Sequence, residues 1–158
     1  MIKHIMCDIF ESGADVICHQ VNCQGVMGSG VAKQVREKYP HVYHEYKRFC
    51  DEKRKQGSSP FGYWQPVRIS DNNMNKCIIN IFAQENYGYD GQCYTDYDVL
   101  KTCFEEIKNT ASVGAIIAFP YLMGCHRGGG DWNVVYKMIE EVFADSDCEV
   151  LICEYNGG

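Results

Sequence analysis

Short apolar runs alternate with amphipathic segments along this 158-residue chain, and that alternation restricts its fold more than any other feature. Asp15 to Val21, Lys76 to Ala83 (KCIINIFA), Gly114 to Phe119 (GAIIAF) and Glu149 to Tyr155 (EVLICEY) read as buried strands. Tyr63 to Ile69 is a weaker strand, and Pro66 places it at a sheet edge. Between the strands, apolar residues recur at helical spacing. Val31, Val35 and Tyr39 form one stripe, closed by Pro40; Val42, Tyr46 and Phe49 form the next. Leu100, Phe104 and Ile107 form a third, with Thr95 as its expected cap and Asp98 three residues on. Val135, Met138, Ile139 and Val142 form a fourth, capped by Asp131. Asp51 to Ser59 reads as a surface loop, and Asp71-Asn72-Asn73 as a turn between two strands. Strands alternating with helices predict a three-layer α/β domain, with ligands beyond the carboxyl ends of its strands. No repeat or linker interrupts the pattern, so residues 1–158 are expected to form one domain.

Composition narrows the partners. Fifteen basic residues against 21 acidic ones leave a formal charge of -6. That argues against strong binding to duplex nucleic acid or to an anionic membrane. The longest uncharged stretch, Asn109 to His126, contains Gly114, Pro120 and Gly124 and does not read as a membrane span. The start, Met1-Ile2-Lys3-His4, lacks a charged-then-apolar targeting pattern. Ten cysteines occur without any C-x-x-C spacing. They read as reduced, mostly buried thiols of a cytoplasmic protein, and no metal or cofactor is expected.

Four segments carry residues suited to chemistry. Gly25-Val26-Met27-Gly28-Ser29-Gly30 lies between a strand and a helix, where backbone N–H groups and the helix dipole can hold a phosphate. The same glycines would also serve a tight turn. Gly124-Cys125-His126-Arg127-Gly128-Gly129-Gly130-Asp131-Trp132 occupies a second strand-to-helix connection and should be mobile or wrap a ligand. Arg127 could pair with phosphate there or be a solvated loop charge. Together the loops suggest a cleft for a diphosphate. His19 and Asn22 close the strand before the first loop. His19 could be a general acid or base, or a satisfied strand histidine; Asn22 could bond ribose hydroxyls. A nucleophilic pair of Cys23 or Cys125 with His126 is conceivable. Tyr87 to Tyr97 holds four tyrosines, able to stack on a base or to cover the core. Asp8 could accept a bond from an amino group or cap a turn.

Taken in order, these segments resemble the macrodomain family, whose members bind ADP-ribose. Cys7-Asp8-Ile9-Phe10 is similar to the family's G-D-[IL] element, with Cys7 in place of glycine. Asn22 to Ala32 resembles the N-x-x-G-x-M-G-x-G-[IV]-A motif. Pro120-Tyr121-Leu122-Met123-Gly124-Cys125 and Gly130-Asp131-Trp132 resemble the second loop and the start of the last helix. The resemblance implies an α/β/α fold around a mixed sheet of about six strands. It implies Asp8 and Ile9 at adenine, Asn22 at the distal ribose, and Gly25, Met27, Gly28, Ser29, Gly30 and Val31 around one phosphate. Pro120, Met123, Gly124, Cys125, His126, Arg127 and Gly128 would enclose the other phosphate and the distal ribose, with Tyr155 bordering adenine. The branch it resembles contains terminal ADP-ribose glycohydrolases and a small ADP-ribose 1''-phosphate phosphatase. The glycohydrolases use a lysine where this chain has Ala83-Gln84, and one uses an aspartate where it has Gly128. The phosphatase-like form carries a histidine at the position of His19. The resemblance therefore implies a hydrolase using His19 and Asn22 on an ADP-ribose derivative, ADP-ribosylated macromolecules included. A non-catalytic reader is the alternative.

Overall fold

The computed structural model describes residues 1–70, 76–88 and 90–155. The turn expected at Asp71-Asn72-Asn73 and the ring of Tyr89 lie outside them. Six strands form one mixed sheet: β1 (Ile2–Met6), β2 (Val16–Gln20), β3 (Trp64–Arg68), β4 (Cys77–Ile81), β5 (Ile116–Pro120) and β6 (Glu149–Glu154), in the order β1-β6-β5-β2-β4-β3. The four inner strands are the continuous apolar runs, and all pair in parallel, as strands covered on both faces should. β3 is antiparallel to β4 at the edge, with Pro66 opposite Ile79. Proline's missing N–H is tolerated there.

Alternation along each strand sends neighbouring side chains to opposite faces and so divides the core. Cys18, Ile79, Ile117, Phe119 and Ile152 pack under helices α3 (Tyr97–Thr110) and α4 (Trp132–Phe143), meeting Leu100, Phe104, Val135, Ile139 and Phe143. Ile17, Ile78, Ala118 and Leu151 pack under α1 (Gly30–Lys38) and α2 (Pro40–Lys55), meeting Val35, Val42 and Tyr46. α1 stops one residue before Tyr39, and Pro40 opens α2, where its missing N–H costs nothing. None of the described helices is long and apolar enough to cross a membrane. All ten cysteines are free thiols.

Two local expectations are corrected. The polar stretch from Asp51 is not a loop at its start: α2 continues through Lys55. Lys47 bonds Asp51 at 3.0 Å one turn away, so this polarity is an exposed helix face. Asp96, not Thr95, caps α3, its carboxylate accepting from the Val99 N–H at 3.0 Å. Thr95 turns inward instead. Asp131 does cap α4, accepting from the Asn133 N–H.

Phe119 is wholly buried, with edge-to-face contacts to Phe104 at 5.2 Å and Phe143 at 5.9 Å between ring centroids. Phe119→Ala should cost about 3–5 kcal/mol. Urea denaturation should show a lower midpoint at an unchanged slope, whereas Val113→Ala, at a position 88% exposed, should move it little.

Candidate functional site

At the carboxyl ends of the inner strands lies a cleft of about 490 Å³. Its floor is His19 and Gln20 at the end of β2, with Gln84 just past β4. One wall is the start of α1, from Ser29 to Ala32. The other is the β5–α4 loop, from Pro120 to Gly124 with His126, Arg127 and Gly128, and Tyr155 lies beyond β6. A smaller recess of about 70 Å³ continues to Asn22, Val26, Gly28 and Tyr87, sharing Gln20, Ser29, Gln84 and Arg127 with the cleft. No aspartate, glutamate, lysine or cysteine lines the main cleft among the described residues.

The first loop is folded around a buried phenol. The Tyr46 hydroxyl lies 2.8 Å from the Asn22 carbonyl and 2.9 Å from Asn22 Oδ1, and accepts from the Val26 N–H at 3.1 Å. Burial pushes its pKa up, so the proton stays on. Asn22 Oδ1 also accepts from the Gln24 N–H at 2.9 Å, and its amide donates to the Val26 carbonyl at 2.8 Å. Asn22 therefore shapes the loop, with one amide hydrogen left over. Gly25 (φ +79°) and Gly30 (φ +60°) take the left-handed backbone this path needs. Ser29 caps α1 by backbone position only, its side chain making no cap bond, so the first-turn N–H groups of α1 are open toward an anion.

His19 is buried and held through Nε2, 2.6 Å from Asn80 Oδ1. Asn80 in turn donates from Nδ2 to Gln65 Oε1 at 3.0 Å. That orients the Asn80 amide and puts the ring proton on Nε2. Nδ1 is then a lone pair, buried and without a partner. Desolvation lowers the imidazole pKa to about 4, overriding the opposing bond from Asn80. At neutral pH His19 is then a neutral imidazole whose one ring proton is committed to Asn80 and whose Nδ1 is a hydrogen-bond acceptor.

Gln20 was not expected in the site. Its Nε2 donates to Gln84 Oε1 at 2.7 Å and to Thr95 Oγ1 at 2.8 Å. Thr95 Oγ1 lies 2.7 Å from the Gly124 carbonyl and 3.2 Å from that of Gly128, which also accepts from the Tyr94 and Thr95 N–H groups. The second glycine loop, read as mobile or wrapping, is thus pinned at two carbonyls to the tyrosine segment. A polar residue beside His19 at the end of an apolar strand was the only signal for Gln20.

Other expected residues stand elsewhere. Asp8 accepts from the Phe10 N–H at 3.0 Å and caps the 3-10 turn Ile9–Glu11; Ile9 is buried in the core. Neither lines the cleft, and the Met27 side chain is wholly buried below it. Gly25 is covered by Lys47. Pro120, Met123, Gly124, His126, Arg127, Gly128, Ser29, Gly30, Val31 and Tyr155 line the cleft; Cys125 does not. Burial pushes the Cys125 thiol up to about 11 and the Cys23 thiol to about 12, so neither is a ready nucleophile. The guanidinium of Arg127 lies over Tyr87, 5.4 Å from the ring centre. Leu122, half-exposed on the cleft wall, holds φ +64° without being glycine.

The Macro domain family model matches residues 18–139. This chain belongs to that family. The macro domain aligns over its full length with the DNA ADP-ribosyl glycohydrolase of Mycobacterium tuberculosis at 29% identity, spanning 43% of that protein. The ADP-ribose 1''-phosphate phosphatase of Scheffersomyces stipitis matches 34% of the chain, and 34% of its own length, at 39% identity. Among solved structures, the macrodomain of Mycobacterium tuberculosis DarG superposes with a TM-score of 0.77 at 25% identity, over 97% of both chains. Thermosipho africanus DarTG in complex with ADP-ribose superposes at 0.77 and 19% identity, over 97% of this chain and 41% of its own.

His19 makes folding pH-dependent. Its pKa falls from 6.5 unfolded to about 4 folded, so the unfolded chain binds the extra proton between those values. Its contribution is intact above pH 6.5 and is lost as pH drops toward 4, by about 3 kcal/mol at about 1.4 kcal/mol per unit. Denaturation at pH 7 and pH 4.5 should show a smaller loss of stability for His19→Gln than for the parent.

Proposed function

We propose that this macro domain binds ADP-ribose, or a derivative linked at C1'', in the cleft and hydrolyses the linked bond. The observation that carries this is a lining without a carboxylate among the described residues, in a chain of charge -6, with the open α1 N-terminus on one wall and Arg127 on the other. Two glycine loops facing each other across such a lining suit a diphosphate. In this reading the amides of Gly28, Ser29, Gly30 and Val31 take one phosphate. Gly124 to Gly128 enclose the other phosphate and the distal ribose, and the spare Asn22 amide hydrogen faces that ribose. Adenine then extends toward Tyr155, Asp8 and the Ile9 amide. The names of the related glycohydrolase and phosphatase support the same ligand. ADP-ribosylated macromolecules in the cytoplasm are the wider substrate class, with residues 1–158 acting as one domain.

Hydrolysis needs a water placed at the electrophilic centre. Its oxygen forms the new bond, the linked group leaves with the bonding electrons, and the water's proton ends on that group. The His19 Nδ1 lone pair can accept a hydrogen bond from such a water, while the loop amides stabilise developing negative charge. By the resemblance, Ala83-Gln84 stands where related glycohydrolases carry a lysine, so this chain has no amine there for an imine route. Gln84 and Gly128 also favour a second reading, a reader that binds without turnover.

Calorimetric titration with ADP-ribose, AMP and NAD should give selective ADP-ribose binding, at least about tenfold tighter than AMP, a gap of about 1.4 kcal/mol. Mass analysis after incubation with ADP-ribose 1''-phosphate should then show release of phosphate. Selective binding without turnover on this or any other C1''-linked substrate would establish the reader. Equal binding of AMP and ADP-ribose, or no binding, would overturn the ligand assignment.

A further inference from the structure

We infer that Gln20 Oε1 is the acceptor for a hydroxyl hydrogen of the distal ribose, held in place by Gln84 and Thr95; this rests on the cleft taking ADP-ribose. Both Gln20 N–H groups are committed, one to Gln84 Oε1 and one to Thr95 Oγ1. Turning the amide over would set its oxygen against the Gln84 carbonyl oxygen, so the orientation is fixed. The Gln84 amide is itself anchored, donating to the Asn86 carbonyl at 2.8 Å. Gln20 Oε1 is left buried with no partner, on a residue that lines both the cleft and its recess. A buried acceptor without a donor is costly, and a ligand that brings the donor removes the cost.

The position and polarity of this oxygen specify what it meets. A Cβ built on Gly124 would stand 3.0 Å from Gln20 Oε1, so the oxygen lies against the second glycine loop. Phosphate oxygens, being acceptors, are repelled by it, whereas a sugar hydroxyl donates to it. The same network explains the two departures from the related glycohydrolases. Gln84, in the Ala83-Gln84 pair where the resemblance places a lysine, is a partner of Gln20. A Cβ at Gly128 would come 2.5 Å from Thr95 Oγ1 and 3.0 Å from Gln20 Nε2, so no aspartate fits there. An amide network suited to a neutral hydroxyl occupies this part of the cleft.

The test compares ADP-ribose with ADP, which lacks the distal ribose. Gln20→Met keeps the length of the side chain and removes its oxygen. Calorimetry should show ADP-ribose affinity falling about tenfold with ADP affinity unchanged within about twofold. A fall for both ligands, or for neither, would overturn the assignment. In the parent protein the side-chain ¹⁵N amide resonance of Gln20 should shift on saturation with ADP-ribose and not with ADP. No such shift overturns the assignment even if the variant fails to fold. A parent protein that binds ADP-ribose no tighter than ADP removes the ligand reading and this one together. Intact preference for ADP-ribose in Gln20→Met removes this one alone.

Discussion

The cleft depends on β2, which is hydrogen-bonded in parallel to β4 on one side and to β5 on the other. Parallel pairing aligns the carboxyl ends of all three strands, so the chain leaves each of them at the same edge of the sheet. Because side chains alternate along β2, His19 and Gln20 leave its end toward opposite faces. One reaches Asn80, which is itself held by Gln65; the other reaches Gln84 and Thr95. A one-residue slip of β2 would turn each side chain to the other face of the sheet and break both sets of bonds. Register, more than any single contact, determines the chemistry of the floor.

Around that floor the two loops are built by different means. The first is held by phenols of α2: Tyr46 reaches the Asn22 and Val26 backbones, and Tyr43 donates to the Gly25 carbonyl. The second is held through its carbonyls by Thr95 and the backbone of the tyrosine segment. Both arrangements spend most of the loops' polarity on the scaffold, and the first-turn N–H groups of α1 are left uncapped. A net acidic protein can thereby present an anion site without collecting lysines.

The layered fold was legible because each buried strand is an apolar run and each helix carries its stripe, with Pro66 marking the edge strand and Asp131 the last cap. Local rules failed where two polar readings competed. Asp96 took the cap from its neighbour Thr95, and the charges after Asp51 belonged to a helix face. The glycine loops were legible as strand-to-helix connections. The state of His19 was not, since its pKa comes from burial, and burial depends on residues far along the chain. Gln20 was hidden for the same reason: its partners lie 64 and 75 positions away. Asp8 shows the opposite limit, a site residue by resemblance that the structure uses first as a turn cap.

The composition of the cleft lining also fixes its reactivity. With neither an amine nor a thiol among the described lining residues, the cleft gives lysine- or cysteine-directed electrophiles nothing to capture. Warheads designed to capture an active-site lysine or cysteine would pass through it unreacted. A selective inhibitor of this protein would have to succeed by non-covalent fit, through shape, hydrogen bonding and the charge of Arg127.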